Sequence, residues 1–361
     1  EVVAATPLIK ALKAAHPAIP IVVTTTTRTG ADQVARLGDL VEHRYAPLDF
    51  PGAVASFMRR IRPRALLIME TELWPNLLHA CGRRRLPVLV LNARLSARSA
   101  ARYRRFHGIF RLLSANITYL ACQHRDDAER FAGLGVPPER LSVTGSIKFD
   151  IEYGEGILEQ GRQLREQLGT ERPVWIAAST HEGEDEPLLA AHRQLLQRHP
   201  DALLLLVPRH PQRFDQVAEL VTRQGFALCR RTEGNPGPQT QIYLGDTMGE
   251  LPVMLAAADV AFVGGSLIER GGHNLLEPAA LGKPVLTGPS TFNFSDITRQ
   301  LATAGGARVV ADTDELVTAL ESLFADTEQA RAMGRRALAV VRANRGALAR
   351  TQTLIQDQLA L

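Results

Sequence analysis

The chain has 361 residues, of which 45% are hydrophobic and 22% are charged, and its formal net charge is +4. These proportions exclude a disordered, collagen-like or coiled-coil chain, and the length favours two domains over one. The longest apolar runs are too short to cross a bilayer, and Cys81, Cys122 and Cys229 are too scattered for a disulfide framework or a cysteine zinc site.

Apolar, β-branched segments alternate with amphipathic helical stretches, which predicts parallel sheets with helices on both faces. Strands are predicted at residues 20–25, 65–69, 87–91, 117–121, 174–178, 203–207, 241–244, 259–263, 284–286 and 308–310. A polar stretch at 151–155 interrupts the alternation, and the tail from residue 326 reads as a pair of packing helices. We therefore predict an α/β protein with two Rossmann-like domains, residues 1–150 and 151–361, that face each other across a cleft and bind ligands at the carboxyl ends of their strands.

Two features of the first third of the chain bear on its function. Residue 1 is a glutamate and a helical pattern follows at once, so we expect that a strand and an anchor precede this sequence. Arginines cluster in the first third, at positions 59 to 64, 83 to 85 and 94 to 111. Such a positive field attracts phosphates, anionic lipid or nucleic acid. Of these three partners, nucleic acid is the least supported, because only 5% of the residues are aromatic and no recognition module is present.

Two candidate functional residues lie in the first domain. Glu70 follows the predicted strand 65–69, where a carboxylate either faces a substrate or complements the positive end of the next helix. Lys148 lies in the segment 144–150 between the domains, where an ammonium can offset charge on a carboxylate or phosphate. The alternative for Lys148 is a solvated linker lysine.

The second domain has candidate ligand contacts after several strands. Arg209 directly follows strand 203–207, in a loop that prolines stiffen, and its guanidinium can bind a phosphate or a pyrimidine edge. The segment 246–250 opens a helix whose free amides can bind an anion or a base, although Asp246 or Thr247 can equally be an ordinary helix cap.

The glycine-rich segment 263–278 is the most informative part of the chain. Its paired glycines allow a close approach of the backbone to a ligand, and Asn274 and Glu277 share one face of the following helix. Glu277 can bind ribose hydroxyls, or it can form a capping box with Asn274. We predict no metal site, because the acids and histidine at 181–184 lack a metal-ligand spacing and Asp312 reads as a helix cap with Glu315.

Seven motifs, in order, resemble the 3-deoxy-D-manno-octulosonic acid (Kdo) transferases of Gram-negative bacteria. The motifs are METELWP (69–75), NARLSARS (92–99), GSIKFD (145–150), STHEGE (179–184), PRHP (208–211), DTMGE (246–250) and GGHNLLE (271–277). The resemblance covers nearly the whole chain. It implies a GT-B fold, transfer of Kdo from CMP-Kdo to a lipid A precursor, and an N-terminal anchor at the cytoplasmic face of the inner membrane, with no cofactor.

The resemblance also implies roles for individual residues. Glu1 matches the general base, and Glu70 and Lys148 match residues that stabilise the transition state. The residues that match CMP-binding segments are Pro208, Arg209, Met248, Gly249, Glu250, Asn274, Leu275, Leu276 and Glu277. Further contacts to the donor are expected from Ser179, His181, His210, Ser266 and His273.

Two other functions are compatible with the residues. Glycine-rich loops and a ribose-binding glutamate also occur in GT-B enzymes that use UDP-sugars. A protein of this fold can also bind a nucleotide without catalysing transfer.

Overall fold

The computed structural model describes residues 2–361, apart from the side chains of His107 and Ile109. The chain divides into two compact units. Unit 1 consists of the residues up to Asp150 together with Asn344–Leu361, and unit 2 consists of Ile151–Ala343. The predicted division also fell after residue 150, but it assigned the last 18 residues to the second domain, whereas they pack with unit 1.

Strands and helices alternate through both units. The strands are β1 (Val22–Thr25), β2 (Glu42–Tyr45), β3 (Leu66–Met69), β4 (Val88–Ala93), β5 (Tyr119–Cys122), β6 (Leu141–Val143), β7 (Val174–Thr180), β8 (Leu203–Pro208), β9 (Leu228–Arg230), β10 (Ile242–Leu244), β11 (Val260–Val263), β12 (Val285–Thr287) and β13 (Ala307–Val309). The helices are α1 (Val2–Ala15), α2 (Arg28–Ala35), α3 (Pro51–Ile61), α4 (Pro75–Arg83), α5 (Ala97–Arg105), α6 (His107–Ser114), α7 (Arg125–Gly133), α8 (Glu155–Leu168), α9 (Asp185–Leu195), α10 (Phe214–Arg223), α11 (Leu251–Ala257), α12 (Leu276–Ala280), α13 (Ser295–Thr303), α14 (Thr313–Ala325), α15 (Thr327–Asn344) and α16 (Ala347–Leu359).

Unit 1 contains a parallel sheet in the order β3-β4-β5-β6 and a separate parallel pair, β1-β2. Strand β4 is buried at every position, because helices cover both faces of a parallel sheet. The carboxyl ends of β3 and β4 lie side by side and continue into Glu70 and Arg94. Residues that follow these strands therefore meet at one edge of the sheet.

Unit 2 contains a parallel sheet in the order β13-β12-β11-β7-β8-β10-β9. Strand β7 is central, and the chain fills the sheet on one side of it with β8 to β10 and on the other with β11 to β13. The strand order therefore reverses between β7 and β11. In open parallel sheets the crevice at the carboxyl ends of two such strands is the usual ligand site.

Each predicted strand overlaps an observed one, but β2, β6 and β9 were not predicted. All three are short strands at the edge of their sheets, and none is buried along its length. They lack the apolar run that marks a central strand, so the sequence pattern does not reveal them. The tail forms two helices, α15 and α16, as predicted, and Asp312 caps α14 by accepting a hydrogen bond from the amide of Glu315 at 3.0 Å.

Helix α16 belongs to unit 1 for a specific reason. The carboxylate of Asp150 accepts hydrogen bonds from the amides of Gly346 and Leu348, at 2.5 and 2.6 Å, where α16 begins. Ala347 and Ile355 of the same helix are buried in a cluster with residues of α1 and β4. The end of the chain therefore completes the core of the first unit.

No helix among residues 2–361 has both the length and the apolar character needed to cross a membrane.

Candidate active site

The edge of the unit 1 sheet brings Glu70 and Lys148 together. Glu70 directly follows β3, has a φ of +60°, and donates its amide hydrogen to the carbonyl oxygen of Leu91 at 2.8 Å. Lys148 lies in a 3-10 turn (Ile147–Phe149) whose two flanking side chains are buried. Its Nζ is 3.2 Å from Oε1 of Glu70, and the two side chains are 30% and 29% exposed. An ion pair therefore lies at the edge of the sheet, where solvent and a ligand can reach it.

In unit 2, the buried carboxylate of Glu184 fixes the loop that follows β11. One oxygen accepts hydrogen bonds from the amides of Gly265, at 2.6 Å, and His181, at 3.0 Å. The other accepts from the amides of Ser266, at 2.9 Å, and Leu267, at 3.0 Å. The side chain of Glu184 thus occupies the nest of backbone donors that a glycine-rich loop offers to an anion.

The glycines after β11 are required by the fold itself. A Cβ at Gly264 would lie 2.9 Å from the carbonyl oxygen of Ser179, so the close approach that this glycine permits is to β7 and not to a ligand. Ser266, a predicted donor contact, is fully buried. Its hydroxyl donates to the carbonyl of Val263 at 2.6 Å and accepts from the amide of Gly288 at 2.8 Å.

Three histidines from different loops meet at the carboxyl edge of the unit 2 sheet. The Nε2 atoms of His181 and His273 are 2.8 Å apart and their rings are nearly parallel, while His210 lies edge-on to His181 with ring centroids 5.3 Å apart. Burial, together with the neighbouring His181, Arg209 and His210, lowers the pKa of His273 to about 4. Burial also lowers the pKa of His181. Near neutral pH both rings are uncharged, and one donates its N–H to the other.

Arg209 and Glu277 lie beside this histidine group. Arg209 follows β8, and its exposed side chain lowers the pKa of both His273 and Glu277. Burial has the larger effect on Glu277 and raises its pKa. Asn274 accepts a hydrogen bond from the amide of Leu276 at 3.1 Å, and its Nδ2 donates to Oε1 of Glu277 at 3.4 Å, which orients the carboxylate. The alternative of a capping box is wrong, because no side chain caps α12.

The loop at 246–250 is held by two arginines that the sequence analysis did not identify. Asp246 accepts hydrogen bonds from Nε of Arg230 at 2.7 Å and from the amide of Thr232 at 3.0 Å. Glu250 pairs with Arg231 at 2.9 Å, and this hydrogen bond is the main cause of the lowered pKa of Glu250. The alternative in which Asp246 or Thr247 caps the next helix is wrong, because no side chain caps α11.

The other predicted nucleotide contacts differ in accessibility. Pro208, Leu275 and Leu276 are buried, so only their backbone groups can reach a ligand. Met248 is 58% exposed, and Gly249 has a φ of +89° that favours glycine. Among these residues, Met248 is therefore the one whose side chain can contact a ligand.

Sequence reasoning missed the residues that support the site. Glu184 was considered only as a metal ligand, although the STHEGE motif contains it. The buried Asp185 forms an ion pair with Arg213 and accepts a hydrogen bond from Thr180 at 2.8 Å, which ties β7 to the turn after β8. Glu1, the predicted base, lies outside the described residues. Among the residues that are described, no group of three or more His, Cys, Asp or Glu side chains is arranged to hold a metal ion.

Comparison with known proteins places these features in context. Residues 1–151 match the family model for 3-deoxy-D-manno-octulosonic-acid transferase (kdotransferase), and residues 178–340 match that for glycosyl transferases group 1. A 3-deoxy-D-manno-octulosonic acid transferase of Haemophilus influenzae is 45% identical over 99% of this chain and 85% of its own length. One of Bordetella pertussis is 39% identical with the same coverage.

Two solved structures show the fold. The C-terminal CMP-Kdo binding domain of WaaA from Acinetobacter baumannii is 35% identical with a TM-score of 0.50, covering 52% of this chain and 100% of that domain. The UDP-GlcNAc 2-epimerase of Neisseria meningitidis, bound to UDP-GlcNAc, matches 100% of this chain and 96% of its own with a TM-score of 0.63 at 15% identity. The chain has the α/β architecture of GT-B enzymes.

The hydrogen bonds to Glu184 predict the effect of a single substitution. In a Glu184→Gln variant, an amide NH2 group replaces one acceptor oxygen and opposes backbone donors that are buried. We expect the melting temperature to fall by roughly 2 to 12 °C, because a buried donor without a partner costs about 1 to 3 kcal/mol. Glu182→Gln is the matched control, since Glu182 is exposed on the same loop. Equal melting temperatures for the two variants, measured by circular dichroism, would contradict the assigned role.

Proposed function

The chain belongs to the 3-deoxy-D-manno-octulosonic acid transferase family and is a glycosyltransferase of Kdo, and we propose that it moves Kdo from CMP-Kdo to a lipid A precursor with inversion at the anomeric carbon. The observation that carries this proposal is the accessible ion pair of Glu70 and Lys148 at the edge of the unit 1 sheet. It provides a fixed positive charge in the unit that carries the family-specific sequence match.

Unit 2 binds the nucleotide of the donor. The exposed guanidinium of Arg209 binds the phosphate, and the carboxylate of Glu277 accepts hydrogen bonds from the ribose. The backbone at Met248 to Glu250 lies along the base, while His181, His210 and His273 face the Kdo moiety. Support comes from the sheet order, because the loops after β11, β7, β8 and β10 follow neighbouring strands and leave the sheet at the same edge.

Unit 1 supplies the groups that promote transfer. A general base removes the proton of the acceptor hydroxyl as it attacks the anomeric carbon, and CMP leaves from an oxocarbenium-like centre. Lys148 stabilises the negative charge on the phosphate or on the Kdo carboxylate, and Glu70 holds the ammonium in place. We assign the base to Glu1 on the sequence alone, because that residue lies outside the described part of the chain.

Unit 1 contacts the membrane and the lipid acceptor through its basic surface. Helix α5 ends with three exposed arginines, Arg102, Arg104 and Arg105, and the exposed apolar side chains of Phe106 and Leu112 follow them in the chain. Arginines attract anionic headgroups, and apolar side chains insert at the boundary of the acyl chains. We propose that this surface rests on the cytoplasmic face of the inner membrane.

Transfer is tested by the mass of the product formed from CMP-Kdo and a tetraacylated lipid A precursor. We expect the protein to add Kdo and a Lys148→Ala variant to have a kcat lower by about 10²- to 10³-fold, as when one charge-stabilising donor is removed. The KM for CMP-Kdo should change little. Lys10→Ala, at an exposed lysine of α1, is the control. Normal turnover of Lys148→Ala would rule out its catalytic role, and an unchanged precursor mass for the parent protein would reject the function.

Nucleotide choice is tested by calorimetric titration with CMP and UDP. Arg209→Ala should bind CMP about 10- to 100-fold more weakly, because a hydrogen bond to a charged group contributes about 1.5 to 3 kcal/mol. Arg223→Ala removes an equally exposed arginine of unit 2 and should leave the affinity unchanged. Preference for UDP over CMP in the parent protein would instead favour a UDP-sugar donor.

Membrane binding is tested by sedimentation with anionic vesicles. Replacing Arg102, Arg104 and Arg105 by alanine should weaken partitioning by about a hundredfold at low salt, at about 1 kcal/mol for each charge near the surface. The control replaces three exposed arginines of unit 2, Arg223, Arg331 and Arg342, and so removes the same charge. Equal partitioning of the two triple variants would show that α5 is not the contact surface.

A further inference from the structure

Asn92, the first residue of the NARLSARS motif, has an unusual backbone conformation at the carboxyl end of β4. Its φ is +52°, and the register between β4 and β5 shifts between Val90 and Ala93. The residue is fully buried. Asparagine tolerates the left-handed region better than most residues, but at a higher cost than glycine, and the conformation persists where the surroundings fix it.

The hydrogen bonds of Asn92 connect it to the turn that carries Lys148. Its Oδ1 accepts the amide hydrogen of Ile147 at 3.2 Å, and its carbonyl oxygen accepts a hydrogen bond from Nε2 of Gln123 at 2.9 Å. The preceding residue, Leu91, accepts the amide hydrogen of Glu70 at 2.8 Å. Two consecutive residues of β4 therefore hold the backbones next to both members of the ion pair.

The rest of the turn leaves Lys148 little freedom to adjust. The side chains of Ile147 and Phe149 are 3% and 1% exposed, and Asp150 is bound to the start of α16. Lys148 is the residue of this turn whose side chain reaches the surface. The backbone from which the Lys148 side chain extends is therefore held before it by Asn92, through the amide of Ile147, and after it by Asp150.

The amide nitrogen of Asn92 shows that the side chain is not optimised for stability. Nδ2 is buried and has no hydrogen-bond partner. A buried donor without a partner costs free energy, as does the left-handed backbone. Both costs disappear if the residue is replaced by glycine, whereas the bond to Ile147 is lost.

We propose that Asn92 is a positioning residue, whose Oδ1 holds the turn at 147–149 so that Lys148 meets Glu70 in the geometry used for Kdo transfer. This inference rests on the proposed role of Lys148. Asn92 does not touch the substrate, and it acts through the ammonium. A shift of about 1 Å in a catalytic group is enough to cost about a hundredfold in rate.

The test is a double-mutant cycle with Asn92→Gly and Lys148→Ala, measured as turnover of CMP-Kdo. Glycine accepts the left-handed conformation, so Asn92→Gly should keep its melting temperature within a few degrees while kcat falls by about ten- to hundredfold. KM for CMP-Kdo should stay within about twofold. In the Lys148→Ala background the same change should have no further effect, because it acts through a group that is already absent. Ser142→Ala, which removes another buried polar group without a partner from this sheet, is the control and should keep normal turnover.

A second measurement, by NMR, reports the environment of the Lys148 side chain and does not depend on turnover. The chain has only four lysines, at positions 10, 13, 148 and 283, so methyl-¹³C-labelled lysines give separable NMR signals. In Asn92→Gly the Lys148 signal should move to the position that it has in Glu70→Gln, where the ion pair is removed.

Three results would contradict the proposed role of Asn92. An unchanged Lys148 signal, an equal loss of turnover in both backgrounds, or an unfolded Asn92→Gly variant would overturn the inference. Normal turnover of Lys148→Ala would instead reject the proposed function of the pair and leave the NMR result to decide the role of Asn92 in its geometry.

Discussion

The carboxylate of Glu184 holds together the edge of unit 2 at which the strand order reverses. Backbone amides in a turn between two buried strands must find acceptors, and four of them, at His181 and at Gly265 to Leu267, share this one side chain. Because the first of these belongs to the loop after β7 and the others to the loop after β11, the two loops cannot move separately. His181, in the first of these loops, also forms a hydrogen bond of 2.8 Å with His273.

In unit 1 the loops at the carboxyl edge of the sheet are fixed by residues in the left-handed conformation at the ends of the strands. Glu70 and Asn92 follow or end neighbouring strands in the left-handed conformation, and Ser179 does the same in β7 of unit 2. Such conformations redirect the chain at the point where a strand meets a ligand edge. A side chain placed there is held by the backbone and by its neighbours, so it loses little entropy when a ligand binds.

Sequence patterns predicted the central strands because these are buried and apolar along their length, as β8 illustrates. They could not predict β2, β6 and β9, which are short edge strands that depend on tertiary pairing. The motifs identified Glu70 and Lys148 separately, but their ion pair joins residues that are far apart in the sequence, so no local pattern predicts it. The sequence pattern attributed the glycines after β11 to a ligand, whereas Gly264 is required by the backbone of Ser179, which no local pattern reveals.

Helix α16 has a consequence for how the protein is made. Its first amides bind Asp150, and its apolar face fills the core beside α1, so the first unit is assembled from two segments that lie on either side of unit 2 in the sequence. During synthesis the amino-terminal segment leaves the ribosome long before α16 is translated, and domains generally fold as they emerge. The intervening unit 2 is continuous in sequence and can mature first. The turn that carries Lys148 therefore gains its contact with α16 only after the whole of unit 2 has been synthesised.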